Sequence, residues 1–374
     1  MLKEQIKKVK IAGAGPSGLV AAICLAKAGY NVEIFEEREA VGERFIGDFQ
    51  VLENGSGGTD FLEMLQKIGI ATNFFISPVR SATLFDYRLA SKSVSSRDPF
   101  CYLIKRGNDT SHKKVSLDQG LLNQALCAGV TVHYRRRAAE NEVDIVATGP
   151  ARADALAKEM TFLTDAKNCT FVLFDKNIAP GGYAYLFVLD GEATLGCAIT
   201  RDLPKMNHHF DAALSRFLEI APFSITDAKT GYSFMDFSLK SSAVSNQKLY
   251  VGEAGGFQDY LFGLGLRYAV LTGFCAAESF ISFKNYDDLW KAQLKEAQDI
   301  SLVNRALYES GGNFGLSQFV RMADQHDFKN YLAKWHAASF WKSSLLPIVK
   351  RLWRTQKKCV HPFSEHWCRG KTRD

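Results

Sequence analysis

The sequence lacks the features of secreted, disulfide-stabilised and membrane-spanning proteins. Its first residues lead directly into a short apolar strand, without the apolar stretch and cleavage site of a signal peptide. The most apolar long stretch, residues 264–283, is interrupted by Arg267 and Glu278, which argues against a transmembrane helix. None of the eight cysteines forms a C-x-x-C pair, and several lie within apolar segments, as small buried side chains do. We therefore expect a cytoplasmic protein.

Arrangements typical of hydrolases and metalloproteins are missing as well. No serine, histidine and aspartate set and no pair of carboxylates indicates hydrolysis. Near the C-terminus, a C-x-H-x4-H-x-C run fits no zinc-site spacing, so we expect no bound metal; it consists of Cys359, His361, His366 and Cys368.

The C-terminal part is basic and aromatic. From Lys329 onward there are eleven lysines and arginines but two acids, and Trp335, Trp341 and Trp353 lie among them. Tryptophan beside basic residues on an apolar helix is typical of a membrane surface or a hydrophobic partner. The alternative is a helix that packs on the core and has a solvated basic face. We expect no nucleic-acid partner.

Residues 9–36 read as a strand, a glycine turn, a helix, a second strand and an acid. In such a unit Gly13 permits the tight turn, and Gly15 lets the backbone approach a pyrophosphate. Gly18 lets the helix pack closely on the strand, and the helix N-terminus offers free N–H groups to phosphate. Glu36 is placed to accept hydrogen bonds from ribose hydroxyls. This order predicts a dinucleotide-binding unit, and it leaves NAD and FAD as alternatives.

A second glycine motif with an acid follows far downstream. The strand at 249–251 leads into Gly252 and Glu253, and Gly263 and Gly265 precede a long apolar helix. The acid can hold polyol hydroxyls, while the helix N-terminus can face phosphate or an electron-rich isoalloxazine ring. The two motifs together favour FAD.

Both motifs resemble those of the glutathione-reductase-like FAD superfamily, in its hydroxylase and geranylgeranyl reductase branch. In that branch the second motif reads G-D-A-A-G-F-x-x-P-x-x-G-E-G, and its acid holds the ribityl chain. Glu253 stands at the acid, whereas Tyr260 replaces the proline and Leu264 replaces the second acid. Many archaeal members also carry an R-C-G run after the ribose acid. Residues 45–47 read Phe-Ile-Gly here, so a cysteine-assisted mechanism is not available at that position.

The run PGGYAYLFV at residues 180–188 resembles a segment of the geranylgeranyl reductases, P-G-G-Y-x-W-x-F-P. It differs by Tyr185 for tryptophan and Val188 for proline. In that family the segment borders the isoprenoid pocket beside the flavin. Taken alone, it would also be typical of a core strand with outward-facing aromatic residues.

The resemblance implies a set of site residues. FAD would be bound by Gly13, Gly15, Pro16, Ser17, Gly18, Glu36, Glu37, Arg44, Arg106, Gly252, Glu253, Gly263, Leu264 and Gly265. The substrate pocket would include Tyr183, Tyr185 and Phe187. Arg106 is the candidate for a family arginine that points at the flavin, and the alternative is a solvated charge at a strand end. No catalytic side chain is assigned, because hydride chemistry belongs to the flavin itself.

The predicted fold class is α/β, with two or three structural units in 374 residues. A Rossmann-like FAD-binding domain would be discontinuous and formed by residues 1–75, 100–155 and 245–283. An inserted β-sheet substrate domain would comprise residues 76–99 and 156–244. Residues 284–374 would form a C-terminal helical region with a basic tail. Ser116 and Gln119 are expected to open a helix as a capping box.

These observations predict an FAD-dependent oxidoreductase that reduces a double bond of an isoprenoid-like or other apolar substrate, such as a lipid. Hydride would pass from reduced flavin, and NAD(P)H or an external reductant would supply the electrons. One alternative is an FAD-dependent monooxygenase or halogenase, because one fold serves several chemistries. Another is a non-catalytic, FAD-stabilised binding protein. Contact of the basic aromatic region with a membrane surface is a further hypothesis.

Overall fold

The fold is described by a computed structural model for residues 7–56, 58–108, 114–150, 153–237 and 239–354. In chain order its strands are β1 (Lys8–Ala12), β2 (Asn31–Phe35), β3 (Phe49–Glu53), β4 (Ile76–Val79), β5 (Ser81–Asp86), β6 (Ser91–Ser95), β7 (Cys101–Lys105), β8 (Thr131–His133), β9 (Ile145–Val146), β10 (Ala155–Leu163), β11 (Cys169–Phe174), β12 (Tyr183–Leu189), β13 (Glu192–Ile199), β14 (Thr226–Met235), β15 (Val244–Ser245) and β16 (Lys248–Tyr250). Its helices are α1 (Pro16–Lys27), α2 (Phe61–Lys67), α3 (Leu117–Cys127), α4 (Met206–Ile220), α5 (Leu266–Ser282), α6 (Tyr286–Met322), α7 (Phe328–His336) and α8 (Phe340–Arg354).

The first sheet is mainly parallel and has the strand order β15-β16-β9-β1-β2-β8. β1 pairs in parallel with β2 and β9, whereas β15 runs antiparallel to β16. Helix α1 packs between α3 and α5, and Ile11, Leu19 and Val270 are buried in their common core. Parallel apolar strands covered by helices are typical of Rossmann-like folds. The predicted α/β fold class is confirmed.

The second sheet has the order β14-β10-β13-β12-β11-β5-β6, and its strand pairs are antiparallel except for β11 and β5. Side chains alternate between its two faces, as strand geometry requires. On β12, Ala184 and Leu186 are buried in the core that includes Phe210 of α4. The intervening residues belong to a core on the opposite face; they are Tyr183, Tyr185 and Phe187. The helix α4 thus covers one face and leaves the aromatic face for the functional site.

A third, antiparallel sheet has the order β3-β7-β4. The backbone N–H of Phe49 on β3 donates to Thr194 Oγ1 on β13 at 2.8 Å, which ties this sheet to the second one. Residues 76–99 are predicted to lie in the domain of the second sheet, and within this range β4 pairs with β7 of the small sheet. Pro78 has no N–H to give to a central ladder, so β4 fits at the edge of the small sheet. The division into domains stays a prediction.

The N-terminus of α3 differs in one detail from the predicted capping box. Ser116 Oγ accepts a hydrogen bond from the Gln119 N–H at 3.1 Å, as an N-cap residue does. The Gln119 side chain does not return this bond, because its Nε2 donates to the Val41 carbonyl at 3.0 Å. The cap therefore also holds the loop that follows β2.

The C-terminal helices α6 and α7 pack against the aromatic face of the second sheet. α6 is interrupted at Gly312, where φ is 50° and ψ is −156°, and it packs against β5, β6 and β11. α8 lies along α6 and leaves Phe340, Trp341, Ile348 and Leu352 exposed. Within the described ranges, no helix is both long and apolar enough to cross a membrane. The tail cysteines and histidines singled out above lie outside the described residues.

Candidate functional site

One cavity of about 870 Å³ joins both glycine motifs to an aromatic chamber. It extends from the turn after β1, past the residues that precede α5, to the space between the second sheet and α6–α7. We use the name aromatic chamber for the part lined by Phe174, Tyr183, Tyr185, Phe187, Phe262, Phe319 and Phe328. Polar and charged residues line the other end, so the cavity can hold one polar and one apolar partner side by side.

The first glycine turn forms the polar end of the cavity. Gly13 has φ of +98°, and a Cβ there would lie 2.3 Å from the Ala147 carbonyl oxygen, so the turn requires glycine. Gly15, by contrast, has φ of −76° and ψ of 175°, and a Cβ added to it would meet open space in the cavity. Pro16 and Ser17 line the cavity next to it. The backbone is thus free to approach a ligand at Gly15.

Two of the predicted glycines do not line the cavity. Gly18 is buried in α1 against the Gly13 carbonyl, as expected for close packing of helix and strand. Gly252 lies beneath the turn, and a Cβ there would come 2.7 Å from Ser17 Oγ. Both support the loops that line the cavity, and their contact with a cofactor stays a prediction.

Glu36 and Glu37 line the cavity beside the first turn. The Glu36 carboxylate accepts from the Ala14 N–H at 2.9 Å and from the Arg38 N–H at 3.0 Å. It therefore sits at the end of β2 in a fixed position over the glycine turn. Helix α1 has no side-chain cap at its N-terminus, so its first N–H groups are left to face the cavity.

The second motif places an ion pair deep in the cavity. Glu253 Oε2 lies 3.3 Å from Arg44 Nη1, and Arg44 Nη2 donates to the Phe234 carbonyl at 3.0 Å. Burial raises the pKa of Glu253, and the neighbouring Arg44 and Arg106 oppose that rise. Gly263, Leu264 and Gly265 line the cavity at the start of α5, whose N-terminus also lacks a side-chain cap.

Two polar atoms near this ion pair lack a hydrogen bond within the described part of the chain. Arg44 Nε and Gln258 Oε1 are buried without a hydrogen bond among the residues that the structure describes. An unsatisfied buried donor or acceptor costs about 1–3 kcal/mol. Together with the uncapped helix and the open space at Gly15, these atoms fit a large polar ligand that has hydroxyl and phosphate groups. The residues present therefore suit a dinucleotide.

Arg106 is a buried cavity residue rather than a solvated charge at a strand end. Its Nε and Nη2 donate to the two oxygens of Asp118 at 2.8 and 2.9 Å, and Nη1 donates to Gln50 at 3.0 Å. The guanidinium also lies 3.9 Å from the centre of the Phe45 ring. Such a fork-to-fork pair fixes the orientation of the arginine. Whether it faces a flavin remains a prediction.

The aromatic chamber brings together all three residues predicted for the substrate pocket. The rings of Tyr183 and Tyr185 are 6.1 Å apart and those of Tyr185 and Phe187 are 4.7 Å apart. The Tyr183 hydroxyl donates to the Phe262 carbonyl at 2.9 Å, which leaves its ring as an apolar wall. Sequence reasoning missed the opposite wall, which Phe319 of α6 and Phe328 of α7 supply.

A pair of buried acids was also missed. Glu159 on β10 lines the cavity, and Asp48, directly before β3, lies close enough to act on it electrostatically. Burial is the main cause that raises the pKa of each carboxyl. The sequence contains a signal for Glu159, because Ala155, Ala157 and Glu159 are two residues apart and therefore share one face of β10.

Comparison with known proteins finds similarity in the first motif and over most of the chain. Residues 11–46 match the model of the NAD(P)-binding Rossmann-like domain. The chain is 21% identical to digeranylgeranylglycerophospholipid reductase 2 of Methanococcoides burtonii, over 94% of this chain and 93% of the relative. The resemblance to geranylgeranyl reductases inferred from the sequence is thereby confirmed.

Solved structures show the same fold. A geranylgeranyl bacteriochlorophyll reductase-like protein from Thermoplasma acidophilum matches with a TM-score of 0.69 and 18% identity, over 92% of this chain and 99% of that protein. A flavin-dependent brominase matches with a TM-score of 0.58 and 15% identity, over 92% and 98% of the two chains. The fold is therefore shared by reductases and halogenases.

Proposed function

We propose that this protein is an FAD-dependent oxidoreductase that reduces a carbon–carbon double bond of an isoprenoid-like or other apolar substrate. The observation that carries the proposal is the single cavity in which dinucleotide-type motifs and an aromatic chamber adjoin. A cofactor in the polar end and an apolar chain in the chamber would lie next to each other. This proximity is what a direct hydride transfer requires.

The residues of the polar end divide naturally among the parts of FAD. The turn at Gly13–Ser17 and the N-terminus of α1 would hold the pyrophosphate, and Glu36 the adenosine ribose. Glu253 and Arg44 would bind the ribityl hydroxyls, and the start of α5 would face the ring. Reduced FAD supplies a hydride when it is bound. NAD(P)H or an external reductant would restore the reduced form.

The substrate is proposed from the chamber. Its walls offer aromatic rings, and its tyrosine hydroxyl at Tyr183 is already bonded to the backbone. An apolar chain loses no hydrogen bonds on entering such a space, and burial of its surface is favourable by about 25 cal/mol per Å². The relative from Methanococcoides burtonii is named as a reductase of a digeranylgeranyl lipid, which supports a lipid of this kind.

A lipid substrate also gives a role to the exposed face of α8. Trp341, Ile348 and Leu352 recur at helical spacing on this face, next to Arg351. Aromatic and apolar side chains beside cationic ones are typical of helices that lie in a membrane surface. We therefore include contact between α8 and an anionic membrane in the proposal.

The test is a single turnover without oxygen. Chemically reduced holoenzyme is mixed with digeranylgeranylglycerophospholipid in detergent micelles, and the product is examined by mass spectrometry. A product heavier by two hydrogens supports the reductase. A product that forms only after oxygen is admitted, and that carries oxygen or halogen, would instead support the monooxygenase or halogenase. Flavin that no donor can reduce would support a non-catalytic protein.

A further inference from the structure

Glu159 is a carboxyl group at the boundary between the two ends of the cavity. It lies in the middle of β10, between β14 and β13, and only 6% of its surface is exposed. On one side it lies near Arg44, which pairs with Glu253 in the polar end. On the other side it lies near Tyr185 of the aromatic chamber. A substrate in the chamber would therefore meet this carboxyl where it meets the cofactor.

Tyr185 can reach toward Glu159 because the residue between them on the sheet is a glycine, Gly196. Glu159 on β10 and Tyr185 on β12 both pair with Gly196 on β13, so the three residues form one row across the sheet. A Cβ at Gly196 would lie 2.2 Å from Cζ of Tyr185. Because Gly196 has none, the tyrosine ring covers β13 and reaches toward the carboxyl. The row thus connects the acid with the wall of the chamber.

The surroundings of Glu159 favour its neutral form. The Ser233 hydroxyl donates a hydrogen bond to Glu159 Oε1 at 2.7 Å. Burial, followed by repulsion from the Asp48 carboxylate, raises the pKa of Glu159 to about 8, while Ser233 and Arg44 oppose the rise. The polar and titratable groups near it on this face are Arg44, Asp48, Tyr183, Tyr185 and Ser233, while Cys197 acts on it from the opposite face of the sheet.

Other groups of the cavity are less suited to give up a proton. Burial raises the pKa of Glu253 as well, but its carboxylate is held in a direct ion pair with Arg44, which opposes that rise. Burial raises the pKa of the Tyr185 hydroxyl well above its ordinary value, and Tyr183 already donates its proton to the Phe262 carbonyl. Glu159 is protonated at neutral pH and lies on the cavity wall.

We propose that Glu159 is the proton donor for the double bond that the enzyme reduces, an inference that rests on the proposed function. The π bond breaks as one carbon receives the hydride supplied by reduced FAD and its neighbour receives the proton of the Glu159 carboxyl. Two C–H bonds form, FAD is left oxidised, and Glu159 is left as a carboxylate. Solvent then returns the proton to the carboxylate. General acids that act in this way accelerate reactions by about 10²–10⁴-fold.

The first experiment needs no turnover. Infrared spectra of wild-type holoenzyme at neutral pH should contain the C=O band of a protonated carboxyl that disappears in Glu159→Gln. The band should persist in Glu219→Gln, since Glu219 is an exposed partner of Arg216 on α4. If the wild-type and Glu159→Gln spectra show no such difference, Glu159 is ionised, and the inference is overturned whatever the enzyme reduces.

The second experiment measures anaerobic single turnover of the same lipid by both glutamine variants and by Tyr185→Phe. Glu159→Gln should bind FAD as the wild type does and reduce the lipid roughly 10²–10⁴-fold more slowly. Its rate should also lose the decline with rising pH that wild-type enzyme shows as Glu159 ionises. An unchanged rate, or a large loss in Tyr185→Phe alone, would overturn the assignment while leaving the proposed function intact.

Two outcomes separate the two proposals further. If wild-type enzyme does not reduce the lipid but the infrared band is present, the proposed function fails for this substrate and the protonated Glu159 stands. If Glu159→Gln does not fold, Glu159→Asp keeps a carboxyl on a shorter side chain. This variant should retain the infrared band and part of the wild-type rate. Loss of the rate in a folded Glu159→Asp variant that retains the band would count against proton donation.

Discussion

The buried carboxyl of Glu159 should make the stability of the protein depend on pH. Its pKa is about 8 in the folded chain, against 4.5 for an ordinary glutamate. The folded state therefore binds more protons than the unfolded state between these values, and stability falls as pH rises through them. Each pKa unit is worth about 1.4 kcal/mol, so the loss has an upper limit of about 5 kcal/mol.

Glu159→Gln removes this dependence because an amide resembles the neutral acid in shape and cannot ionise. The variant and the wild type should unfold at similar temperatures near pH 5, where Glu159 is protonated. Near pH 9 the variant should be more stable by up to a few kcal/mol. Asp48 adds to the difference in the same direction, since it loses a charged neighbour and ionises at lower cost.

The assay is the thermal unfolding midpoint of FAD-free protein between pH 5 and pH 9, read as the difference between variant and wild type. Glu219→Gln serves as the control, and its difference from the wild type should not change with pH, because the side chain is exposed. A difference between Glu159→Gln and the wild type that stays constant across the range would refute the reasoning. Glu159 would then be charged in the folded protein at neutral pH.

Three further predictions concern ligands. Gly15→Leu should abolish FAD retention but leave the unfolding temperature of the FAD-free protein unchanged, because φ and ψ at Gly15 suit any residue and the new side chain enters open space. Flavin absorbance after gel filtration measures retention, and full FAD occupancy in the variant would contradict the prediction. Glu253→Ala should weaken FAD binding by about 1.5–3 kcal/mol, seen when apo-protein is titrated, and unchanged affinity would make the acid merely structural. Ile348→Ser should reduce sedimentation with anionic phosphatidylserine vesicles, whereas equal binding by variant and wild type would refute membrane contact through α8.

The sequence predicted correctly those features that depend on residues close together in the chain. The strand, turn and helix around Gly13 and Gly15 depend on local backbone geometry, so their spacing predicts them. The alternation on β12 likewise predicts that Tyr183, Tyr185 and Phe187 share a face.

It failed where side chains meet across long stretches of chain. The pair of Arg44 and Glu253 joins residues 209 positions apart, and no local pattern specifies it. The pairing of β4 with β7 in the small sheet is likewise not specified locally, because the strand order is set by tertiary packing. The inward direction of Glu159 could have been predicted from alternation, but the position of Asp48 beside it could not. Local propensity does not encode which distant elements pack together.

The walls of the aromatic chamber come from two separate parts of the chain. The sheet wall carries Tyr183, Tyr185 and Phe187, whereas Phe319 and Phe328 belong to helices that follow both glycine motifs in sequence. Under the proposed function, substitutions in the helices can therefore lengthen or shorten the space for a substrate chain without altering the residues proposed to hold the cofactor. In evolutionary terms, such a division allows one redox centre to be kept while the preferred chain length drifts, and it marks α6 and α7 as the place to redesign selectivity.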